Sequence, residues 1–198
     1  VNFRSLLMTA ALVLAGTTQA GTVSLVPSAT HLNVGQSLSV DLMFDHLGAP
    51  DALGAFDLDV TFNAAVLSIT GVAFGAALGV DGIDQFSSTL VSTGRLDIAA
   101  VSLLAEADLL AAQTGPFTLA TLSFDALQAG LADLHFDLTT PPGLLFSDAF
   151  GNVLAATTGA EPDVTVTAAG NRVPEPGSLA LATLALGLLG ARRRRSAD

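Results

Sequence analysis

Between residues 37 and 62 the chain twice repeats one pattern, apolar then polar then apolar. In Ser37 to Asp45, SLSVDLMFD, the residues Leu38, Val40, Leu42 and Phe44 share one parity, while Ser39, Asp41 and Asp45 share the other. In Ala55 to Phe62, AFDLDVTF, Phe56, Leu58, Val60 and Phe62 alternate with Asp57, Asp59 and Thr61. A strand turns successive side chains to opposite faces, whereas a helix would scatter these apolar groups around its circumference. Period two therefore predicts strands that are buried on one face and wet on the other.

The same alternation recurs at Ala132, Leu134, Phe136 and Leu138, set against Asp133, His135 and Asp137, and again at Val164 and Val166. Leu119 to Phe124, Leu96 to Leu103 and Thr22 to Val26 are further strand candidates. Turn residues punctuate them at Asn33-Val34-Gly35, Gly48-Ala49-Pro50-Asp51, Asp81-Gly82, Thr93-Gly94, Gly115-Pro116 and Pro141-Pro142-Gly143. Short strands at this spacing predict an all-β chain folded as an antiparallel sandwich. The Ala- and Leu-rich stretch from Leu104 to Gln113 predicts a helical turn between strands.

Charge narrows the partners. The formal net charge is −11, lysine is absent, and between residues 21 and 171 the acids number 16 against the single base Arg95. Nucleic-acid binding depends on cations that neutralise phosphates, so no nucleic-acid partner is expected. Cysteine is absent, which removes disulfides, thiolate metal sites and a cysteine nucleophile.

Both ends depart from the alternating pattern. At the front, Arg4 precedes an apolar stretch from Leu6 to Ala15, and Thr18 and Ala20 follow at cleavage-site spacing. This predicts a secretory signal peptide over residues 1–20. At the back, RVPEPGSLALATLALGLLGARRRRS joins a Pro-Glu-Pro turn, an apolar run from Gly177 to Ala191 and the cluster Arg192, Arg193, Arg194 and Arg195. The run predicts an apolar helix that enters a membrane, and arginines just beyond such a helix act as a stop-transfer signal on the inner side.

Val173, Pro174, Glu175 and Pro176, the apolar run and the arginines together resemble the PEP-CTERM sorting domain of Gram-negative bacteria. The resemblance implies recognition by an exosortase, an inner-membrane intermediate, removal of the tail, and delivery to the cell surface or exopolysaccharide matrix. Residues 172–198 are read as this signal, and residues 21–171 as the body it delivers.

VGQSLSVDLMFD, GAFDLDVTFNAAVLSITGV, FTLATLSFDAL and DVTVTA resemble successive strands of a bacterial cohesin-like domain, over Thr22 to Ala168. That family is a jelly-roll β-sandwich of about nine strands, and in it one sheet face recruits dockerin modules. The resemblance implies that Asp57, with Asp59 beside it, lies on a partner-binding face. The chain departs from the family pattern at Ala55, where asparagine is common, and at Ala64, where proline is common.

Catalysis finds little to work with. His31, His46 and His135 are scattered, no Gly-x-Ser-x-Gly elbow occurs, and Asp57 and Asp59 alternate with core residues as a solvated face would. No enzyme and no cofactor is expected. Asp81-Gly82-Ile83-Asp84 and the Asp45 to Asp51 loop are the best local oxygen clusters for calcium, without an EF-hand pattern. Tryptophan and tyrosine are absent and the phenylalanines fall mainly on inward positions, which removes the aromatic platform of a sugar site. The expectation is a non-enzymatic surface or matrix protein that binds a surface protein, with a polysaccharide-binding module as the alternative and a secreted hydrolase behind it.

Overall fold

The computed structural model describes residues 20–45, 51–141 and 143–168. The chain divides into two units, Val1–Thr167 and Ala168–Asp198, and all the described strands belong to the first. The signal-peptide residues, His46, and the tail residues Val173 to Pro176 and Arg192 to Arg195 lie outside the described residues. So does the predicted apolar helix; among the described residues no helix is long and apolar enough to cross a membrane.

In chain order the strands are β1 (Gly21–Pro27), β2 (His31–Asn33), β3 (Ser37–Asp45), β4 (Leu53–Thr61), β5 (Leu67–Phe74), β6 (Gln85–Ser92), β7 (Arg95–Ser102), β8 (Phe117–Ala126), β9 (Gly130–Leu131), β10 (His135–Phe136), β11 (Leu144–Asp148), β12 (Val153–Leu154), β13 (Ala156–Thr158) and β14 (Thr165–Thr167). A helix, α1 (Glu106–Ala112), falls inside the stretch that predicts a helical turn. One sheet runs β13-β1-β3-β8-β5 and the other β12-β11-β4-β7-β6, with β10 on β4. A small third sheet runs β2-β14-β9.

The two large sheets bury the residues that alternation assigns inward. Leu38, Val40, Leu42 and Phe44 of β3 and Phe56, Leu58 and Val60 of β4 are all buried in one core. Phenylalanines key the layers together: Phe44 stacks on Phe146 with centroids 5.0 Å apart, and Phe62 meets Phe124 edge-on at 5.2 Å. Such aromatic pairs contribute about 0.5–1.5 kcal/mol beyond the area they bury.

The strand expected over Ala132 to Leu138 is corrected. Ala132, Leu134 and Phe136 are buried as the pattern requires, but only His135 and Phe136 pair with β4. Asp133 takes φ 53°, a left-handed conformation that an unbroken strand does not allow. Beyond Phe136, the Asp137 carboxylate accepts from the Thr139 and Thr140 hydroxyls at 2.7 Å each, turning the chain away from the sheet and exposing Leu138.

Thr93-Gly94 forms a two-residue hairpin loop between β6 and β7, closed by the pair Ser92 and Arg95. Gly94 has φ 74°, and a Cβ there would sit 2.9 Å from the Phe62 carbonyl oxygen, so the turn requires glycine.

Candidate functional site

Strand β4 carries the expected site residues in the middle of the six-stranded sheet, where Asp57 pairs with Ala99 of β7 on one side and Leu145 of β11 on the other. Its outward neighbours include Asp97 of β7, directly opposite Asp59, and Val101, opposite Ala55. On β6, Phe86 lies opposite Val101 and Leu90 opposite Asp97.

Asp57 and Asp59 do not share one environment. Asp57 is half-buried on the outward face. Burial raises its pKa above the ordinary carboxylate value, and the nearby charges of Asp97 and Asp59 raise it further. Alternation assigns Asp59 to a solvated face, and the structure corrects this: it is 1% exposed. The Arg95 guanidinium lies over it, with Nε donating to Oδ1 at 3.0 Å and Nη2 donating to Oδ2 at 2.5 Å. This fork-to-fork geometry is what allows a carboxylate to stay charged under cover.

Asp137 completes the group. Its carboxylate lies 3.9 Å from Arg95 Nε, its backbone N–H donates to the Asp59 carbonyl at 3.0 Å, and hydrogen bonds from Thr140 and Thr139 hold its pKa well below the ordinary range. The only arginine or lysine among the described residues is thus engaged by Asp59 and Asp137. Asp57 and Asp97 are left without a hydrogen bond from it.

Apolar side chains flank these two acids. Phe86 is 54% exposed, Val101 45% and Leu145 42%, so the outward face holds contiguous apolar shoulders around an acidic centre. A shallow groove of about 360 Å³ lies beside Phe86 and Val101, lined with them by Ala55, Phe56, Ser88 and Ala99. Most of the described phenylalanines point inward as the alternation requires; Phe86 and Phe150, the latter 72% exposed, are the exceptions. The alternation in Gln85 to Ser92, QFSSTLVS, places Phe86 and Leu90 on one face; the lack of acids there hides which face is wet.

The other candidates do not converge. His31 and His135 are exposed on separate sheets, and His135 has Asp133 near it, at 3.8 Å. Asp81 accepts from the Ser87 hydroxyl at 2.6 Å, and Asp84 accepts from the Val80 N–H, so both carboxylates of that calcium candidate fold back on their own loop. The other calcium candidate, from Asp45 to Asp51, is described only at its two ends. Among the described residues no three His, Asp or Glu side chains are grouped to hold a metal.

Comparison with known proteins bears on both parts of the chain. Residues 172–195 match the PEP-CTERM protein-sorting motif. No curated protein is significantly similar to the chain in sequence. Solved cohesins share its fold. A type II cohesin from Acetivibrio cellulolyticus, solved in complex with an X-dockerin, superposes with a TM-score of 0.60 at 12% identity, over 74% of this chain and 99% of its own. A cohesin module from a family 33 glycoside hydrolase of Clostridium perfringens gives 0.58 at 16% identity, over 77% and 100%. A non-cellulosomal cohesin from the archaeon Archaeoglobus fulgidus gives 0.52 at 14%, over 78% and 94%. The chain is therefore a cohesin-like β-sandwich followed by a PEP-CTERM protein-sorting motif.

Proposed function

We propose that this is an exported, non-enzymatic protein of the cell surface or exopolysaccharide matrix, and that the outward face of its six-stranded sheet docks another protein. The observation that carries the reading is the makeup of that face: Asp57 and Asp97 sit without a hydrogen bond from Arg95, between the exposed apolar side chains of Phe86, Val101 and Leu145. A partner that suits it brings a lysine or arginine to the acids and apolar groups to the shoulders. Central apolar anchors would supply most of the affinity, and the charges would set register and encounter rate. A cohesin solved bound to an X-dockerin supports a protein partner, and the lack of tryptophan and tyrosine weighs against a sugar platform.

Delivery follows from the tail. An exosortase of a Gram-negative cell would read Val173 to Pro176 just outside the inner membrane, while Arg192 to Arg195 hold the far end of the apolar run inside. Pro174 and Pro176 lack amide protons and keep the segment extended for a protease. No cofactor is invoked, so chelation leaves docking unchanged.

The test is retention of a partner from the exported fraction of the protein's own cell. The wild-type chain is expected to retain one protein, less of it at high salt, and Asp57→Arg to weaken retention about tenfold, equivalent to about 1.4 kcal/mol. Asp59 is left intact because it belongs to the fold. Unchanged retention by Asp57→Arg would overturn the assignment of the face. Retention on purified matrix polysaccharide in place of a protein would favour the sugar-binding alternative.

A further inference from the structure

A sheet face that meets water is polar across its width, and one that packs on another sheet is apolar across it. The outward face of the six-stranded sheet is neither. Phe86 and Val101 stand opposite each other toward one end of it, Leu145 flanks it on β11, and Leu90, 66% exposed, flanks it on β6. Between these apolar margins lie Asp57, opposite Leu145, and Asp97, opposite Leu90. The small residues Ala55, Ala99 and Ser88 keep the middle low, and they line the groove beside Phe86.

The charged groups around Asp57 leave it unrelieved. Asp97 on β7 adds like charge, while Asp59 on β4 and Asp137 beyond β10 hold Arg95. β11 turns Leu145 and Ser147 to this side, and β6 turns Phe86, Ser88 and Leu90, none of them charged. Asp148, at the end of β11, is tied into its own turn, and Asp81, before β6, accepts from Ser87, which has the opposite parity. His135 of β10 pairs with Thr61 at the far end of β4 and has Asp133 beside it. Burial and the two nearby acids already raise the Asp57 pKa in a single copy, so its charge is costly before anything covers it.

We infer that this is a dimer face, on which a second copy of this chain lays the same face, and that the charges of Asp57 and Asp97 keep it open at neutral pH. A two-fold axis lying between the copies at the level of the acids brings apolar margin onto apolar margin and carboxyl onto carboxyl. While the acids are ionised, the contact buries like charges against each other with no cation to pair them, since Arg95 is engaged. Once they are neutral, the same contact joins two apolar surfaces, and a protonated carboxyl can donate to its counterpart. The size of the face suits a contact that charge decides. β4 has nine residues. At about 3.4 Å per residue and about 4.8 Å for each strand from β11 to β6, the face offers roughly 600 Å² per copy, against about 800 Å² in a standard interface. The dimer occupies the face of the proposed docking but needs no other protein, so it is measured on the purified chain alone and can fail while that docking stands.

Sedimentation equilibrium of the exported chain, purified from its own cell, tests the dimer. At pH 7 the wild type is expected to be monomeric, and Asp57→Asn with Asp97→Asn to double the weight-average mass. The isoelectric point is about 4.3, so acid weakens repulsion over the whole surface, and the neutral-pH comparison avoids this. Asp41→Asn with Asp125→Asn removes the same two charges from the outward face of the five-stranded sheet and is expected to leave the chain monomeric. Phe86→Ser with Leu90→Ser, both exposed positions, is expected to abolish the dimer of the Asp57→Asn, Asp97→Asn chain without touching the core. A monomeric Asp57→Asn, Asp97→Asn chain, an equal dimer from Asp41→Asn with Asp125→Asn, or a dimer that survives Phe86→Ser with Leu90→Ser would each overturn the assignment.

Discussion

Asp57 and Asp148 illustrate how the same side chain can work for or against the fold. Burial and two neighbouring acids raise the Asp57 pKa, so its ionised form opposes folding at neutral pH, and this opposition disappears in acid where both states are protonated. Asp148 accepts from the Phe150 and Asn152 N–H groups at 2.8 Å and from the Asn152 side chain at 2.7 Å. These bonds lower its pKa, so its contribution is present at neutral pH and is lost as pH falls through the folded value, below about 3.9. Asp57→Asn is accordingly expected to raise the melting temperature at pH 7 and Asp148→Asn to lower it, with both differences shrinking in acid. Thermal scans of the two variants across pH check the opposite signs. That Asp57 destabilises its own fold is in keeping with the proposed docking face, since sites kept for a partner trade stability for function.

At the scale of elements, Gln113 joins a helix to a strand through its side chain alone. Its amide accepts from the Leu53 N–H at 2.8 Å and donates to the Leu53 carbonyl at 2.8 Å and to the Ala77 carbonyl at 3.1 Å, tying the end of α1 to the start of β4. Gln113→Leu leaves those buried backbone groups without partners and is expected to cost about 1–3 kcal/mol, measurable as a shift in denaturant midpoint. Phe146→Ala removes the ring stacked on Phe44 and is expected to cost about 3–5 kcal/mol by the same measurement. The strands with strict alternation, β3 and β4, are legible in the sequence because half-burial writes polarity into every second residue. β5 and β6 are not, because serine, threonine and glycine fill many of their positions and leave little contrast. The site is half legible: the parity of β4 places Asp57, but alternation carries no information on what lies over a residue, so the cover of Arg95 on Asp59 stays hidden. Arg95 being the only base between residues 21 and 171 is the available clue.

At the scale of the whole molecule, a sandwich without cysteine gains its stability from a continuous apolar core and an internal ion-pair group, while its wet surface stays acidic. Such a body can be carried through export without waiting for disulfides, and its tail supplies the address. On the proposed reading the chain is an exported binding domain whose membrane attachment is temporary. The most direct measurement is the intact mass of protein released from the surface of its own cell. A species that begins at Gly21 and lacks Arg192 to Arg195 is expected; a surface species that still carries the arginine block would show a permanent anchor instead.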